Sequence, residues 1–437
     1  MKHTLVLPTN RECLSNIKAY ILEGIYAQDV LNKDVSIVVI DTSDVQTQKS
    51  HDKLIKEYKN MIPIFYFNDE KMDLFLGTTL SSMKLSVETH KRLLKILNPK
   101  ICSYGAAANK TFLVSAALGA DYLHRRDSDT LPQKLEGRFL YPIEKELCYL
   151  GRKMDDLKDI DLETNFTESE DFKDSPVFMC GGNYLGAWAA DLKEMYESNK
   201  DVFYDYLSFG VPNEKKAHVV ELLEERYINQ ENKGYKELHV EKVSRKIIEV
   251  GNHGLYRIFQ SLPLLPSVNA ISTDYLYHNI LAQLHIPMIY HNWHVHHNHT
   301  SDRKTLSWFF EYHMRLIKHR MLYVYIKQIL NKMAEDKKNI FDSNYHINGL
   351  NLVKIIHEVL KIDFSHEMDE LVAAIIEIFR KMELPSYDEL CDLLISRKEF
   401  LKTEVLSDFD DYALLVSNWE SLASNSSNGL KAVYPHE

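Results

Sequence analysis

The chain has 437 residues, of which 45% are hydrophobic and 26% are charged, so it can form one large globular domain or two ordinary ones. Its formal net charge of −11 argues against a general nucleic-acid-binding protein, because binding phosphates requires a clustered basic face and the sequence shows none. The five cysteines stand singly, without C-x-x-C spacing, which predicts neither a disulfide framework nor a cysteine zinc site. An anionic substrate would therefore depend on local charge, such as a cation held between carboxylates.

The sequence carries no pattern of a membrane or secreted protein. No apolar run approaches the roughly 18 residues that cross a bilayer, and a strand-like segment begins directly after Met1-Lys2-His3 without a signal-peptide pattern. We therefore predict no transmembrane segment and a cytoplasmic location.

Short apolar runs alternate with helical patterns in the N-terminal part of the chain. Strand candidates cover residues 4–7, 35–40 and 62–67, and each is followed by polar residues. Helical patterns include residues 13–31 and 86–97, and another strand over 120–126 runs into a charged tip. This alternation predicts an α/β fold with a Rossmann-like, mostly parallel sheet, whose ligand site lies at the carboxyl ends of the strands.

The later part of the chain changes character. Residues 155–174 are acidic and predict an exposed loop, and residues 177–180 and 286–290 predict two more strands. From residue 304 onward apolar residues recur at helical spacing, through 334 and again in 350–360, 367–382, 387–401 and 412–422. We predict a catalytic domain over residues 1–303 and a helical domain over residues 304–437, whose helices offer a route to a homo-oligomer.

The strongest chemical signal is the triplet Asp127-Ser128-Asp129, preceded by Arg125-Arg126. Two carboxylates one residue apart at the end of a strand can bind one hard cation, Mn²⁺ or Mg²⁺, that keeps open positions for diphosphate oxygens. We predict that Asp127 and Asp129 hold the cation and that Arg126 and Ser128 contact the diphosphate. The alternative is a triplet that only caps a turn.

A histidine-rich tract, His291 to His299, is the second signal. One imidazole could complete a protein triad with the two aspartates, and His299 is the first choice and His297 the second. A surface tract with incidental metal affinity is the alternative.

A further acid and a glycine pair complete the set. Asp274 follows two hydroxyl residues and could remove the proton of an acceptor hydroxyl, or could instead stabilise the start of its helix. Gly181-Gly182 would let the backbone approach a sugar or an acceptor closely, or could form a plain tight turn.

The order of these parts resembles the GT-A glycosyltransferases, a family with a nucleotide-binding βαβ half and an Asp-x-Asp metal motif. The resemblance is one of pattern, covers roughly the first 300 residues, and within the family looks like mannosylglycerate synthase-like enzymes. It implies that a strand loop, an acid after the second strand and a helix-entry segment contact the nucleotide, namely Pro8, Thr9, Asn10, Arg11, Asp41, Asn109 and Lys110. It also implies that Gly181, Gly182 and Asp274 face the acceptor and that His299 joins the metal.

We therefore predict a metal-dependent transferase that moves a sugar from a UDP- or GDP-linked donor to a small-molecule or peptide acceptor. Asp129 and Asp274 are its predicted catalytic residues. Three alternatives remain open. One is a zinc- or manganese-dependent hydrolase built on the histidine tract, one is a nucleotidyltransferase of the same fold, and one is a helical scaffold without catalysis.

Overall fold

Two sheets organise the computed structural model, which describes residues 1–163, 173–186, 192–211, 213–224, 237–244, 246–298 and 305–436. The strands in chain order are β1 (Lys2–Thr9), β2 (Asp34–Asp41), β3 (Ile64–Phe67), β4 (Tyr122–Arg126), β5 (Thr130–Leu135), β6 (Arg138–Leu140), β7 (Met179–Gly181), β8 (Tyr184–Gly186), β9 (Val240–Val243), β10 (Asn252–Tyr256), β11 (Met288–His291) and β12 (Val295–His297). The large sheet has the order β3-β2-β1-β4-β10-β7-β11-β9 and the small one β6-β5-β12-β8.

The helices account for most of the remaining described chain. In chain order they are α1 (Leu14–Asp29), α2 (Val45–Tyr58), α3 (Asp69–Ser81), α4 (Val87–Leu97), α5 (Tyr104–Ala117), α6 (Ile143–Tyr149), α7 (Leu192–Ser198), α8 (Lys200–Leu207), α9 (Asn213–Leu223), α10 (Ile258–Ser261), α11 (Leu276–Gln283), α12 (Leu306–Glu335), α13 (Lys337–Ile340), α14 (Gly349–Val359), α15 (Ser365–Arg380) and α16 (Pro385–Val433). This arrangement confirms the predicted mixed α/β architecture with a central sheet.

The direction of the strands brings several carboxyl ends to one edge of the large sheet. β1 pairs in parallel with β2 and β4, β2 with β3, and β7 with β11, whereas β10 runs antiparallel to both β4 and β7. After β3 the chain returns to the other side of β1 and adds β4. The strand order therefore reverses between β1 and β4, which is where open α/β sheets bind ligands.

Burial on both faces explains the continuous apolar runs of the first strands. In β1, Leu5 and Leu7 belong to a core with Ile17 of α1, while the intervening Val6 belongs to a second core with Phe112 of α5. Because successive side chains in a strand point to opposite faces, a strand covered by helices on both sides must be apolar at every position.

The C-terminal helices pack directly on the first half of the chain. Phe75 of α3, Phe112 of α5, and Trp419 and Leu422 of α16 lie in the same hydrophobic core, and the Trp419 indole donates to the Phe259 carbonyl at 3.0 Å. The two segments predicted over 387–401 and 412–422 form one continuous helix, α16. The predicted division after residue 303 stays a prediction, and the apolar core runs across it.

A residue close to the C-terminus covers the open edge of the large sheet. β3 is the outer strand, and the Tyr434 hydroxyl accepts from the Tyr66 amide at 2.9 Å and donates to the Tyr66 carbonyl at 2.7 Å. Within the part of the chain that the structure describes, no helix is both long enough and apolar enough to span a membrane.

The predicted acidic loop over residues 155–174 falls in part outside the described residues, which resume at 173. The described portion includes a short 3-10 helix over Met154–Asp156. The helix start to which Asp274 was assigned is a 3-10 turn, Thr273–Tyr275, that leads directly into α11.

Candidate active site

The Asp127-Ser128-Asp129 triplet forms a turn between β4 and β5, at the point where the strand order reverses. The Thr130 amide and hydroxyl both donate to the Asp127 carbonyl, at 3.2 and 2.9 Å. The Thr130 carbonyl in turn accepts from the Asn16 amide group at 2.7 Å and the Tyr20 hydroxyl at 2.5 Å, both on α1. Helix α1 therefore fixes the turn that carries the two aspartates.

The loop after β1 approaches the same turn from the neighbouring strand. Arg11 places Nη1 3.5 Å from Asp129 Oδ2, and its Nε and Nη2 both donate to Asn10 Oδ1 at 3.3 Å. The Thr9 hydroxyl donates to the Arg11 carbonyl at 3.0 Å, which tightens the loop, while Pro8 lies in β1 beside Ile40 of β2. Residues that are 118 positions apart in sequence, Arg11 and Asp129, thus meet at the sheet edge.

Asp127 and Asp274 share one guanidinium. Arg125 lies with Nη2 3.2 Å from Asp127 Oδ1 and 3.0 Å from Asp274 Oδ2, and the Tyr184 hydroxyl donates to Asp127 Oδ2 at 2.8 Å. Burial raises the pKa of the Asp274 carboxyl, while Arg125 acts in the opposite direction. Arg125 therefore connects Asp274, which was predicted to face the acceptor, with Asp127, which was predicted to bind the metal.

His297 connects the small sheet to the turn. β12 pairs with β5 so that His297 lies opposite Thr130, and its Nε2 is 3.6 Å from Asp129 Oδ2. Its ring stacks on Tyr184 with centroids 5.2 Å apart and an interplanar angle of 16°. One continuous set of contacts therefore joins Asp274, Arg125, Asp127, Tyr184, His297, Asp129, Arg11 and Asn10.

The donor atoms of Asp129 and His297 fit a shared cation. Two ligands about 2.0–2.2 Å from one ion lie about 3.0–3.4 Å apart, close to the observed separation of 3.6 Å. Asp127 belongs to the same turn, but its two oxygens face Arg125 and Tyr184. Among the residues that the structure describes, no three histidine, cysteine, aspartate or glutamate side chains form a ready-made metal cluster, and His299 lies outside those residues.

The rest of the histidine tract does not converge on one point. His291 is fully buried, His294 accepts the Asn183 amide at 3.1 Å, and His296 is exposed on the face of β12 opposite to His297. The described histidines therefore lie in four different surroundings, which does not favour a hydrolase that binds zinc or manganese through several of them.

Arg126 does not lie with the other predicted site residues, because it is buried in the core. It has no exposed surface, its Nη2 is 2.7 Å from Glu23 Oε1, and its Nη1 is 2.9 Å from Glu146 Oε1. Adjacent strand residues point to opposite faces, so Arg125 faces the crevice and Arg126 does not. Ser128, in contrast, lies in the turn as expected and is nearly buried.

Asp41 is also engaged inside the protein. His51 donates from Nδ1 to Asp41 Oδ2 at 2.8 Å and accepts the Cys13 amide at Nε2, while Ser43 and Tyr66 donate to the same carboxylate. Burial alone would raise the pKa of Asp41, but these hydrogen bonds lower it. The Asp41 carboxylate therefore ties β2 to the start of α1, and its predicted contact with the nucleoside stays a prediction.

Asn109 and Lys110 have structural partners as well. The Asn109 amide group donates to the Leu264 carbonyl and its oxygen accepts the Leu264 amide, both at 2.8 Å. Lys110 donates to Asn98 Oδ1 at 3.1 Å, and burial lowers its pKa to about 8. These contacts tie α5 to neighbouring loops, and the predicted contacts of the two residues with base, ribose or phosphate stay predictions.

The glycine pair is packed against the chain itself. A side chain at Gly181 would overlap the Asn252 carbonyl, and a β-carbon at Gly182 would lie 2.8 Å from the His291 carbonyl. The space beside both α-carbons is thus filled by β10 and the end of β11. The two glycines therefore allow close packing between strands, and the predicted approach of a sugar or acceptor stays a prediction.

Three residues of the site were not assigned from the sequence. Arg125 stands next to the Asp-x-Asp triplet, and that proximity is the one signal that could have identified it. Tyr184 and Gly251 carry no local motif: the Gly251 amide donates to the Tyr184 hydroxyl at 2.8 Å, and a β-carbon at 251 would lie 2.5 Å from Asp127 Oδ2. Their roles follow from pairing between distant strands.

Comparisons with known proteins place the chain in a family. A model described as a family of unknown function (DUF6271) matches residues 2–433, and comparison with curated proteins gave no match. Among solved structures, a mannosyltransferase from Pyrobaculum calidifontis in complex with GDP-Man and Mn²⁺ is 9% identical, with a TM-score of 0.32, over 100% of this chain and 88% of that chain. TarS of S. aureus is 13% identical, with a TM-score of 0.31, over 96% of this chain and 55% of that chain.

This chain thus spans about half the length of TarS. The family match, in contrast, extends over nearly the whole length, and the chain belongs to DUF6271, a family of unknown function.

Proposed function

We propose that the chain is a metal-dependent glycosyltransferase that moves a sugar from a nucleoside diphosphate donor, UDP- or GDP-linked, to a small-molecule or peptide acceptor. The single observation that carries the proposal is the meeting of Asp129, His297 and Arg11 at the point of strand reversal between β1 and β4. Carboxylate, imidazole and guanidinium groups at this edge of a parallel sheet suit a cation and a diphosphate together.

Asp129 and His297 would hold Mn²⁺ or Mg²⁺, with Asp127 of the same turn and His299 as further ligands. The cation supplies Lewis-acid neutralisation of the departing diphosphate when it is bound. Arg11 adds a positive charge beside Asp129, and its guanidinium is suited to bind phosphate oxygens in pairs. The protein thus concentrates positive charge where negative charge grows during transfer.

Asp274 is the proposed base for the acceptor. The reaction breaks the bond between the sugar and the diphosphate and forms a bond from the acceptor oxygen to the same sugar carbon, while the acceptor hydroxyl proton passes to the carboxylate. Asp274 must be ionised to accept it, and the guanidinium of Arg125 at 3.0 Å favours the ionised form.

The test is nucleotide binding in the presence of Mn²⁺. Titration calorimetry with UDP- and GDP-sugars should show binding to the wild-type chain, and Asp129→Asn should weaken it at least tenfold. Bound nucleotide should also raise the thermal stability of the chain, since a ligand at a hundred times its Kd stabilises the folded state by about 2.7 kcal/mol. A wild-type chain that binds no nucleotide with Mn²⁺ would contradict the proposal, as would an Asp129→Asn variant with unchanged affinity.

Asp121→Asn is the matched control. Asp121 directly precedes the other end of the same strand, β4, and accepts from exposed Arg257 at 2.7 Å. The substitution has the same chemistry, removes an ion pair that contributes little, and should leave nucleotide affinity within twofold of the wild type.

A further inference from the structure

Arg125 is a permanent positive charge placed between two acids. Its side chain is 6% exposed, and Nη2 lies 3.2 Å from Asp127 Oδ1 and 3.0 Å from Asp274 Oδ2. A guanidinium does not lose its proton in a protein, so the charge of Arg125 stays on under all ordinary conditions. The two acids and Arg125 therefore carry a combined charge of about −1 when both acids are ionised.

The same contacts occupy the carboxylate that the cation would need. Asp127 Oδ1 accepts from Nε and Nη2 of Arg125 at 3.3 and 3.2 Å, and Oδ2 accepts from the Tyr184 hydroxyl at 2.8 Å. A divalent ion bound to Asp127 would lie beside this guanidinium, and like charges repel strongly where water is largely excluded. In its present position both oxygens of Asp127 are thus already engaged, Oδ1 by Arg125 and Oδ2 by Tyr184.

We propose that Arg125 is a resident counter-ion, which holds Asp127 until a divalent cation binds and then keeps Asp274 as its partner. The inference rests on the proposed function, because it concerns the same cation site. The exchange breaks no covalent bond and moves no proton: Asp127 passes from the guanidinium to the cation, and the ion pair between Arg125 and Asp274 remains. Loading the site thereby leaves Asp274 as the sole carboxylate partner of Arg125.

Arg125 suits this role better than Arg11, whose guanidinium also lies at the turn. The Arg11 side chain is 18% exposed and can move towards solvent, whereas Arg125 is enclosed. Across the β4–β10 pair it faces His253, whose pKa is lowered to about 3 by burial and by the charge of Arg125, so His253 is neutral. Among the ion pairs of the described residues, the acids that contact Arg125 are Asp127 and Asp274.

The test is Mn²⁺ affinity, measured by titration calorimetry and by electron paramagnetic resonance on the full chain. The double variant Arg125→Gln/Asp274→Asn removes one positive and one negative charge, so the local net charge stays that of the wild type and no buried acid is left without a counter-ion. If Arg125 competes with the cation for Asp127, the double variant should bind Mn²⁺ at least tenfold more tightly. A purely overall charge effect would leave the affinity unchanged.

The matched control is Arg257→Gln/Asp121→Asn, the same pair of substitutions in an ion pair at the other end of β4. It should bind Mn²⁺ within twofold of the wild type. If the first double variant does not fold, Asp274→Asn alone serves: Arg125 then has Asp127 as its one acid, and Mn²⁺ affinity should fall at least tenfold.

The outcomes separate the two proposals. Wild-type binding that depends on Asp129, together with unchanged or weaker binding in the double variant, overturns the role of Arg125 and leaves the proposed function standing. Unchanged binding in Asp274→Asn overturns it in the same way. A wild-type chain that binds neither Mn²⁺ nor a nucleotide overturns the proposed function, and the role of Arg125 falls with it.

Discussion

Replacing Gly251 with alanine would place a methyl group where the Tyr184 hydroxyl and the Asp127 carboxylate already meet. The added carbon would overlap the hydroxyl and lie 2.5 Å from Asp127 Oδ2. Tyr184 cannot simply turn away, because its ring stacks on His297. We expect Gly251→Ala to displace the Asp127 carboxylate and Tyr184, the side chain that connects Asp127 to His297.

The expected cost has two parts. Forcing an extra carbon into a packed site costs about 1–3 kcal/mol. Loss of the hydrogen bond from Tyr184 to a charged carboxylate adds about 1.5–3 kcal/mol if no water replaces the hydroxyl. We therefore expect the free energy of unfolding to fall by about 1–6 kcal/mol, the lower end applying if water replaces the hydroxyl, and Mn²⁺-dependent nucleotide affinity to fall at least tenfold.

Gly77→Ala provides the comparison, because it adds the same atom to the interior of α3 where nothing lies within 4 Å. Alanine in a helix is favoured over glycine by about 0.5–1 kcal/mol, so this variant should be slightly more stable and bind normally. Chemical denaturation and titration calorimetry on both variants test the reasoning. A Gly251→Ala variant with wild-type affinity would refute the assignment of Tyr184 and Asp127 to the site.

Three further predictions concern the protein away from the crevice. Glu146→Gln should lower the free energy of unfolding by about 3 kcal/mol, because it weakens the compensation of the buried Arg126; a loss below about 1 kcal/mol in urea denaturation would contradict this. In the wild type, burial alone raises the pKa of Glu146, but Arg126 and His124 outweigh it and lower the pKa to about 2, below the ordinary 4.5. This contribution to stability is complete above about pH 5 and is lost as the pH falls towards 2, so denaturation from pH 6 to 3 should show falling stability and a shallower fall in Glu146→Gln. Tyr434→Phe should cost about 1–2 kcal/mol, since it leaves the Tyr66 amide without its partner while the Tyr66 carbonyl keeps the Lys71 ammonium at 3.2 Å, and equal thermal stability would count against that contact.

The large sheet was predictable because its first strands are buried on both faces. The run over residues 35–40 is apolar and buried except at the half-buried Ser36, and polar residues follow where the strand leaves the core. The C-terminal helix α16 was only partly predictable. Its middle is rich in charged residues, but Val405 and Phe409 continue the buried stripe and join the two predicted segments into one helix.

Only the parts of the site that lie within a short stretch of sequence could be predicted. The Asp-x-Asp triplet could be located at a strand end, since both facts are local. The choice between Arg125 and Arg126 could not be made, because strand alternation separates the two faces but does not say which one holds a ligand. Asp41 illustrates the same limit, since its partner His51 comes from the following helix and nothing in the local sequence shows their hydrogen bond.

The contact of Tyr434 with the edge of β3 has a consequence for biosynthesis. The hydroxyl reaches the strand from 368 residues further along the chain, so the outermost strand is made long before its cover. An uncovered edge is a template for pairing with another chain, and the interval between the two events is the period in which the nascent protein is exposed to aggregation. Ribosome-bound chains that stop short of Tyr434 should accordingly depend more on chaperones than released ones, and a fusion partner at the C-terminus that displaces Tyr434 should reduce soluble yield.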